Sequence, residues 1–409
     1  MADYAKINDV PAADIAKYSN VPKANIAKVG GDITTPSGSA AATQWAAASI
    51  DHYISWVNAA DLATINTWEN NVYRIHSTSN DMTDIAYGLN ASGNGQWMAV
   101  GLAGNGEILF DGNSDITDES AWTKENIDST HGRRLKILYG AGDGASDSSS
   151  GSAETRVGAW LAVGRNAADK VYVYRSTDGG SNWSGLNLDG LTNISGGSSD
   201  DWIRGLASDG LGTWMLGLKG NLYISTDSGV SFSYLIQPTG DGTHLIRSIS
   251  YTNSTWVVIT KQGSELHVST CAASTAANMD ASGDWSTSTQ ITDGSDALNG
   301  NAGADSVKSA AAAGRVCVID GVNVQPMNVS GKTISMVGNR QAIPDTVSPA
   351  RCISSDGTTW LIGSGTTSPG DICRSVNGGE AWGAAPIVDG FDASFKGVLA
   401  IAPNVLMPL

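Results

Sequence analysis

The chain lacks any apolar run approaching the ~20 residues that cross a bilayer, so no membrane insertion is expected. Met1 to Val10 hold no apolar stretch of the signal-peptide kind, which points to synthesis without export. Cysteine is scarce. Cys271, Cys317, Cys352 and Cys373 stand apart without metal-type spacing and read as buried free thiols. The five histidines, His52, His76, His131, His244 and His267, form no ligand pattern either. Positive charge is in deficit: 24 Lys and Arg face 40 Asp and Glu, a net of −16. A body this acidic repels nucleic acid and anionic membrane, which excludes both as main partners. No nucleotide fingerprint is present, since Gly-x-Gly pairs such as Gly142-Asp143-Gly144 lack a following helix. No cofactor and no metal is therefore expected. Acidic, Gly-rich stretches such as Asp293 to Asn301, or the loop near Asp143 and Asp147, have oxygen ligands suited to calcium but read as solvated loops.

What the chain has is turns. Gly contributes 49 residues, and Ser, Thr, Asp and Asn crowd between short apolar runs, a composition of many short strands. One motif returns three times: Ser176-Thr177-Asp178-Gly179-Gly180-Ser181-Asn182-Trp183, Ser225-Thr226-Asp227-Ser228-Gly229-Val230-Ser231-Phe232 and Ser375-Val376-Asn377-Gly378-Gly379-Glu380-Ala381-Trp382. The Asp or Asn can bond the turn's own amides, Gly supplies positive φ, and the aromatic folds back over the turn. Asp178, Gly180, Trp183, Asp227, Gly229, Phe232, Asn377, Gly379 and Trp382 are accordingly read as structural turn residues.

A second motif lies upstream. Ser208-Asp209-Gly210-Leu211-Gly212-Thr213-Trp214 and Ser355-Asp356-Gly357-Thr358-Thr359-Trp360 each precede an apolar strand, with looser copies ending at Trp97 and Trp256. Apolar strands such as Ile203 to Ala207 and Ile246 to Ser250 come before these turns. The combined unit is strand, turn, Trp-strand, strand, Asp-type turn, strand: a four-stranded meander, one blade of a β-propeller. Copies begin near residues 85, 135, 202, 245, 306 and 350, and the one near 306 has Val316-Cys317-Val318-Ile319 in place of the Trp-strand. Phe395 to Ala402 resembles an inner strand, while Ile54 to Val57 and Val72 to Ile75 resemble outer ones. Pairing the chain ends would close the ring and remove exposed edges. The expectation is an all-β chain: a β-propeller of seven four-stranded blades over 50–409, closed by N- and C-terminal strands, behind a small-residue linker at 32–49.

Residues 1–31 carry a different repeat, of period 11. Asp3 to Ala13 is followed by Asp14 to Ala24 and by a truncated copy, Asn25 to Gly31. The Val10-Pro11 and Val21-Pro22 steps break a continuous helix, leaving one short helical turn per copy. Such segments are unstable alone, so the arm is expected to order against a partner. With four Lys and three Asp its net charge is +1, leaving −17 for the rest. Lys6, Ile7, Val10, Ile15, Lys17, Tyr18, Val21, Ile26 and Lys28 are the candidate partner-binding residues.

The Ser-x-Asp-x-Gly-x-x-Trp turns resemble the Asp-box, or BNR, repeats of sialidases, several glycoside hydrolases and photosystem assembly factors. In those families the turn is structural, so the resemblance implies a fold rather than a chemistry. The arm, through Ala5-Lys6, Ala16-Lys17 and Ala27-Lys28, resembles the Ile-Ala-Lys-type repeats near the start of structural proteins of tailed phages. That resemblance implies an N-terminal anchor to other virion proteins, several copies on a symmetric particle, and an outward C-terminal domain.

A sialidase would need an arginine cluster, a Tyr-Glu nucleophile pair and an acidic general acid. The 12 arginines are spread thinly, and Tyr73-Arg74-Ile75-His76 resembles the sialidase Tyr-Arg-Ile-Pro signature without its Pro, reading as an outer strand. The sequence-level expectation is a non-enzymatic virion protein whose propeller contacts a host-surface glycan or protein. The alternative is a carbohydrate-binding or sialidase-like glycan-hydrolysing propeller.

Overall fold

Strands of this chain are apolar on both faces, and that dictates the architecture. Trp214–Leu218 reads WMLGL and is buried at every position. A strand covered on both sides needs sheets stacked face to face rather than one sheet against solvent. The computed structural model describes residues 6–7, 10–11, 42–49, 53–62, 68, 71–75, 82–102, 108–113, 115–128, 131–142, 146–147, 154–155, 158–166, 171–188, 191, 203–238, 244–272, 279–292, 296–300, 306–344, 347–365, 371–383 and 397–406.

Seven sheets of three to five strands are antiparallel meanders in chain order. Their inner strands are Met82–Leu89, His131–Gly140, Ile203–Ser208, Leu245–Thr252, Lys308–Ala312, Ala350–Ser355 and Val398–Pro403. The last of these pairs with Gln44–Ser49, so one sheet is built from both ends of the chain. Seven hydrophobic clusters fill the gaps between consecutive sheets. Leu161 and Val163 pack against Trp214 and Leu216, for example, while Trp160 and Ala162, on the other face of the same strand, pack against Met98 and Val100. The cluster containing Trp45, Val398, Leu361 and Ile372 joins the last sheet to the first and closes the ring. The fold is a β-propeller.

Fully buried tryptophans mark the second strand of six sheets: Trp45, Trp97, Trp160, Trp214, Trp256 and Trp360. In the remaining sheet the place is taken by Val316, within Arg315–Ile319.

The expectation of seven uniform four-stranded blades closed by direct pairing of outer and inner strands is corrected on three points. The sheet at 308–342 has five strands, because Asn323–Ser330 pairs with both Thr333–Met336 and Gln341–Ala342. The sheet at 350–375 has three among the described residues. At the closure, Val398–Pro403 does not meet Tyr53–Asn58; Gln44–Ser49 lies between them. Its sequence, QWAAAS, is rich in small residues, so it reads as linker, yet Trp45 to Ser49 are wholly buried. Alanine suits this position because flat, close sheet packing leaves little room beside an inner strand.

Residues 1–38 form a separate compact unit. In it Lys6–Ile7 pairs antiparallel with Val10–Pro11, while the helical turns expected to start at Pro11 and Pro22 lie outside the described residues. The residue before a proline favours extended backbone, which suits a strand at Val10.

In each meander the first and third turns lie at one end of the strands. The second turns and the connections to the next sheet lie at the other. The propeller thus has a turn face and a loop face.

Candidate ligand-binding channel

The turn face is closed by hydrogen bonds within and between blades. In all three copies of the eight-residue motif the serine hydroxyl donates to the Asp or Asn, at 2.8, 2.6 and 2.8 Å, and accepts from the second-Gly amide of Gly180, Gly229 or Gly379. The same Asp or Asn oxygen accepts from the amide four residues on: Asn182, Ser231 or Ala381. The aromatic then folds back, Phe232 into the inter-blade cluster and Trp382 donating through Nε1 to the Gly379 carbonyl. Burial pushes the Asp178 carboxyl up, but the bonds from the Asn182 side chain and amide and from Ser176 outweigh it and hold the group below the usual range.

These turns also join neighbouring blades. Met98, Leu161 and Cys317, all on the second strand of the preceding blade, press on Gly180, Gly229 and Gly379. At Gly229 an added Cβ would lie 2.6 Å from both Leu161 methyls, and its φ of +83° disfavours any side chain. The carbonyl of Gly179, Ser228 or Gly378 accepts from that same preceding blade: from Gln96, Arg175 or Cys317. All nine turn residues thus sit on one face, where the Asp and Asn side chains bond within their own turns and the glycines meet the preceding blade.

At the centre, the inner strands enclose a channel of about 490 Å³. Six of the seven inner strands break register with their second strand close to their loop-face ends; Lys308–Ala312 pairs without a break. Such bulges re-aim side chains. Arg204, Arg247 and Arg351 are the residues at three of these bulges, and Asp84 and Lys136 directly follow two others. Asp84, Lys136, Arg204, Lys308 and Arg351 line the channel wall.

Asp84 is held between blades. It accepts from the Ile85 amide at 3.1 Å and from the Ile137 amide of the next blade at 3.0 Å. Burial pushes its carboxyl up, against the opposing pull of Lys136, those two amides and Lys308. Arg351 runs over bare backbone, since an added Cβ on Gly365 would coincide with its stem. Cys352 also lines the channel; burial pushes its thiol up to about 12, and it donates to the Val398 carbonyl, so it stays a thiol. Ser309 bridges two blades, bonding Ser248 at 2.8 Å and Ser250 at 2.9 Å.

Toward the turn face the lining becomes aromatic. Tyr87 and Tyr251 border the channel with their rings against Trp97 and Trp256, at centroid distances of 5.1 and 4.7 Å. The channel is therefore charged at its loop-face end and lined by tyrosine rings and serines at the other.

Tyr73 belongs to the outer strand Val72–Arg74, where its hydroxyl donates to the Ile116 carbonyl and accepts from Trp122 Nε1, tying two blades together. Burial raises its phenol well above the ordinary value. Of the arm candidates, Lys6, Ile7 and Val10 take part in backbone pairing, while Ile15, Lys17, Tyr18, Val21, Ile26 and Lys28 lie outside the described residues. No group of three or more metal-binding side chains occurs among the described residues. Asp296, in one of the loops weighed for calcium, instead pairs with Arg340 at 3.2 Å.

Sequence reading missed the channel charges. The signal of the two channel arginines is an apolar-Arg-small triplet at the start of an inner strand, Ile203-Arg204-Gly205 and Ala350-Arg351-Cys352, which recurs as Ile246-Arg247-Ser248 in a third.

No family model matches the chain, and no curated protein matches it. Solved structures do. A lectin, BP39L, from Burkholderia pseudomallei is 11% identical with a TM-score of 0.53, covering 85% of this chain and 99% of its own. The fucose-recognising lectin of Aleuria aurantia is 12% identical with a TM-score of 0.40, over 71% and 88% of the two chains. A structure of YCF48 bound to a D1 peptide is 14% identical with a TM-score of 0.43, over 75% and 82%. At 11% identity the likeness to the Burkholderia lectin establishes shared fold alone.

Proposed function

We propose that this chain is a non-enzymatic carbohydrate-binding propeller, with the loop-face end of the central channel as its site. The observation that carries this is the contrast between the two faces. One is closed by turns whose donors and acceptors bond each other and the adjacent blade. The other opens on a channel where hydroxyls and cations surround space for a sugar-sized ligand, with tyrosine rings at its base. Sugars present both hydroxyls for such donors and C–H faces for such rings. The likeness to the Burkholderia lectin agrees with this reading. Its non-enzymatic character is supported by the occupations of the candidate groups: Tyr73 and Asp84 join blades, and Cys352 is held as a thiol.

The test is a glycan array with the full chain, followed by calorimetry on the best ligands. Binding to a restricted set, kept in an Asp178→Ala variant on the turn face, is the expected result. A blank array overturns the reading.

A second reading concerns where the propeller is displayed, and rests on the 11-residue repeat of residues 3–31. Three aligned copies suit an anchoring segment, in keeping with a structural protein of a tailed-phage virion present in several copies. Deletion of residues 1–31 tests it, as developed below.

A further inference from the structure

Two groups of opposite charge stand side by side in the channel and do not meet. Asp84 and Lys136 belong to the inner strands Met82–Leu89 and His131–Gly140 of adjacent sheets, each just past a break in register, and both line the channel. Oδ2 of Asp84 accepts from the Ile137 amide at 3.0 Å, which brings the carboxylate beside the residue next to Lys136. Yet no ion pair joins the two side chains, and the Lys136 ammonium donates no hydrogen bond among the described residues.

Each group has bonding capacity to spare. Oδ1 and Oδ2 of Asp84 take one backbone amide apiece, from Ile85 and Ile137, and each oxygen keeps a lone pair. Those amides also fix the carboxylate in place, so it is preorganised rather than free to swing onto the lysine. Burial raises its carboxyl, while Lys136, Lys308 and the two amides all favour the charged form. Both residues are half-buried, so the gap between them is open to the channel.

The chemistry of that gap selects its occupant. A carboxylate only accepts and an ammonium only donates, so what lies between them must do both. A hydroxyl does. Sulfate has no proton to give Asp84, and a protonated amine has no lone pair for Lys136. Two hydroxyls on neighbouring carbons span a wider gap than one, the first donating to Asp84 and the second accepting from Lys136. Both bonds are charge-assisted and therefore stronger than neutral ones.

We infer that Asp84 and Lys136 form a hydroxyl-binding subsite, which seats a neutral polyhydroxylated ligand through adjacent hydroxyls of a sugar ring. This rests on the carbohydrate reading for the ring, though not for the hydroxyls.

The experiment titrates the full chain at pH 8 with glucose, galactose and mannose, and with sorbitol as a polyol that has no ring, beside the glycan array. At least one hexose should bind, and sodium sulfate should displace it no better than sodium chloride at matched ionic strength. Lys136→Met should weaken binding by about tenfold or more, the loss of a charge-assisted hydrogen bond. Its melting temperature should stay unchanged, because that ammonium bonds nothing in the protein. Lys136→Arg keeps a donor and should retain more binding than Lys136→Met, and Asp84→Asn should weaken it too. Hexose or array binding that is equal in Lys136→Met and wild type, or displaced specifically by sulfate, overturns the subsite and leaves the carbohydrate reading. A blank array with sorbitol binding that Lys136→Met abolishes does the reverse. No binding by hexoses, by sorbitol or on the array overturns both.

Discussion

At the scale of single residues, two near-identical turns differ in how much depends on them. Asp178 is partly exposed and bonds Ser176 and Asn182, whereas Asp227 is 3% exposed and bonds Ser225 and both the amide and hydroxyl of Ser231. Asp178→Ala should cost about 1 kcal/mol, the net value of such bonds. Asp227→Ala should cost more, about 2–3 kcal/mol, because it strands buried donors. Asn377 performs the same task with the same geometry, so Asp178→Asn should be milder than Asp178→Ala. The Asp178 carboxyl is depressed in the folded chain. Its contribution is therefore present above the unfolded Asp pKa and is lost as pH falls through the folded value. Denaturant melts at pH 7 and at pH 3 check this: the gap between wild type and Asp178→Ala should shrink in acid. Equal losses at both turns would show that burial of Asp227 adds nothing.

At the scale of elements, the turns were legible because their chemistry is local: Ser, Asp and Gly at fixed offsets dictate their own hydrogen bonds. The Trp-strands were legible for the same reason, since a large aromatic recurred after each turn. Gln44–Ser49 was not, because three alanines look like linker until a neighbouring sheet is known to press on them. Nor were the channel arginines, which acquire meaning only when the ring places separate strands side by side. The N-terminal repeat is an element of its own. Deleting residues 1–31 should leave the propeller's melting temperature unchanged while abolishing incorporation into particles purified from the source. A chain that no longer folds, or one that incorporates normally, would refute an anchoring role.

At the scale of the whole molecule, stability lies between blades. The apolar clusters all bridge consecutive sheets, and the turn staples reach backward onto the preceding blade. No blade buries its two faces alone, so unfolding should be one cooperative transition despite the repetitive sequence. Differential scanning calorimetry checks it: equal calorimetric and van't Hoff enthalpies are expected, and separate peaks would indicate independent blades.

The sheet that joins Val398–Pro403 to Gln44–Ser49 has a consequence in time. Its innermost strand leaves the ribosome after the other described propeller strands, with Asn404 then bonding the Thr43 and Gln44 amides. Until that moment the circle stands open, and two greasy walls, one lined by Leu361 and Ile372 and the other by Ile85 and Trp97, wait for their cover. Completion of the propeller waits for Val398–Pro403 and Asn404, and until they arrive it is most exposed to chaperones and to its own kind.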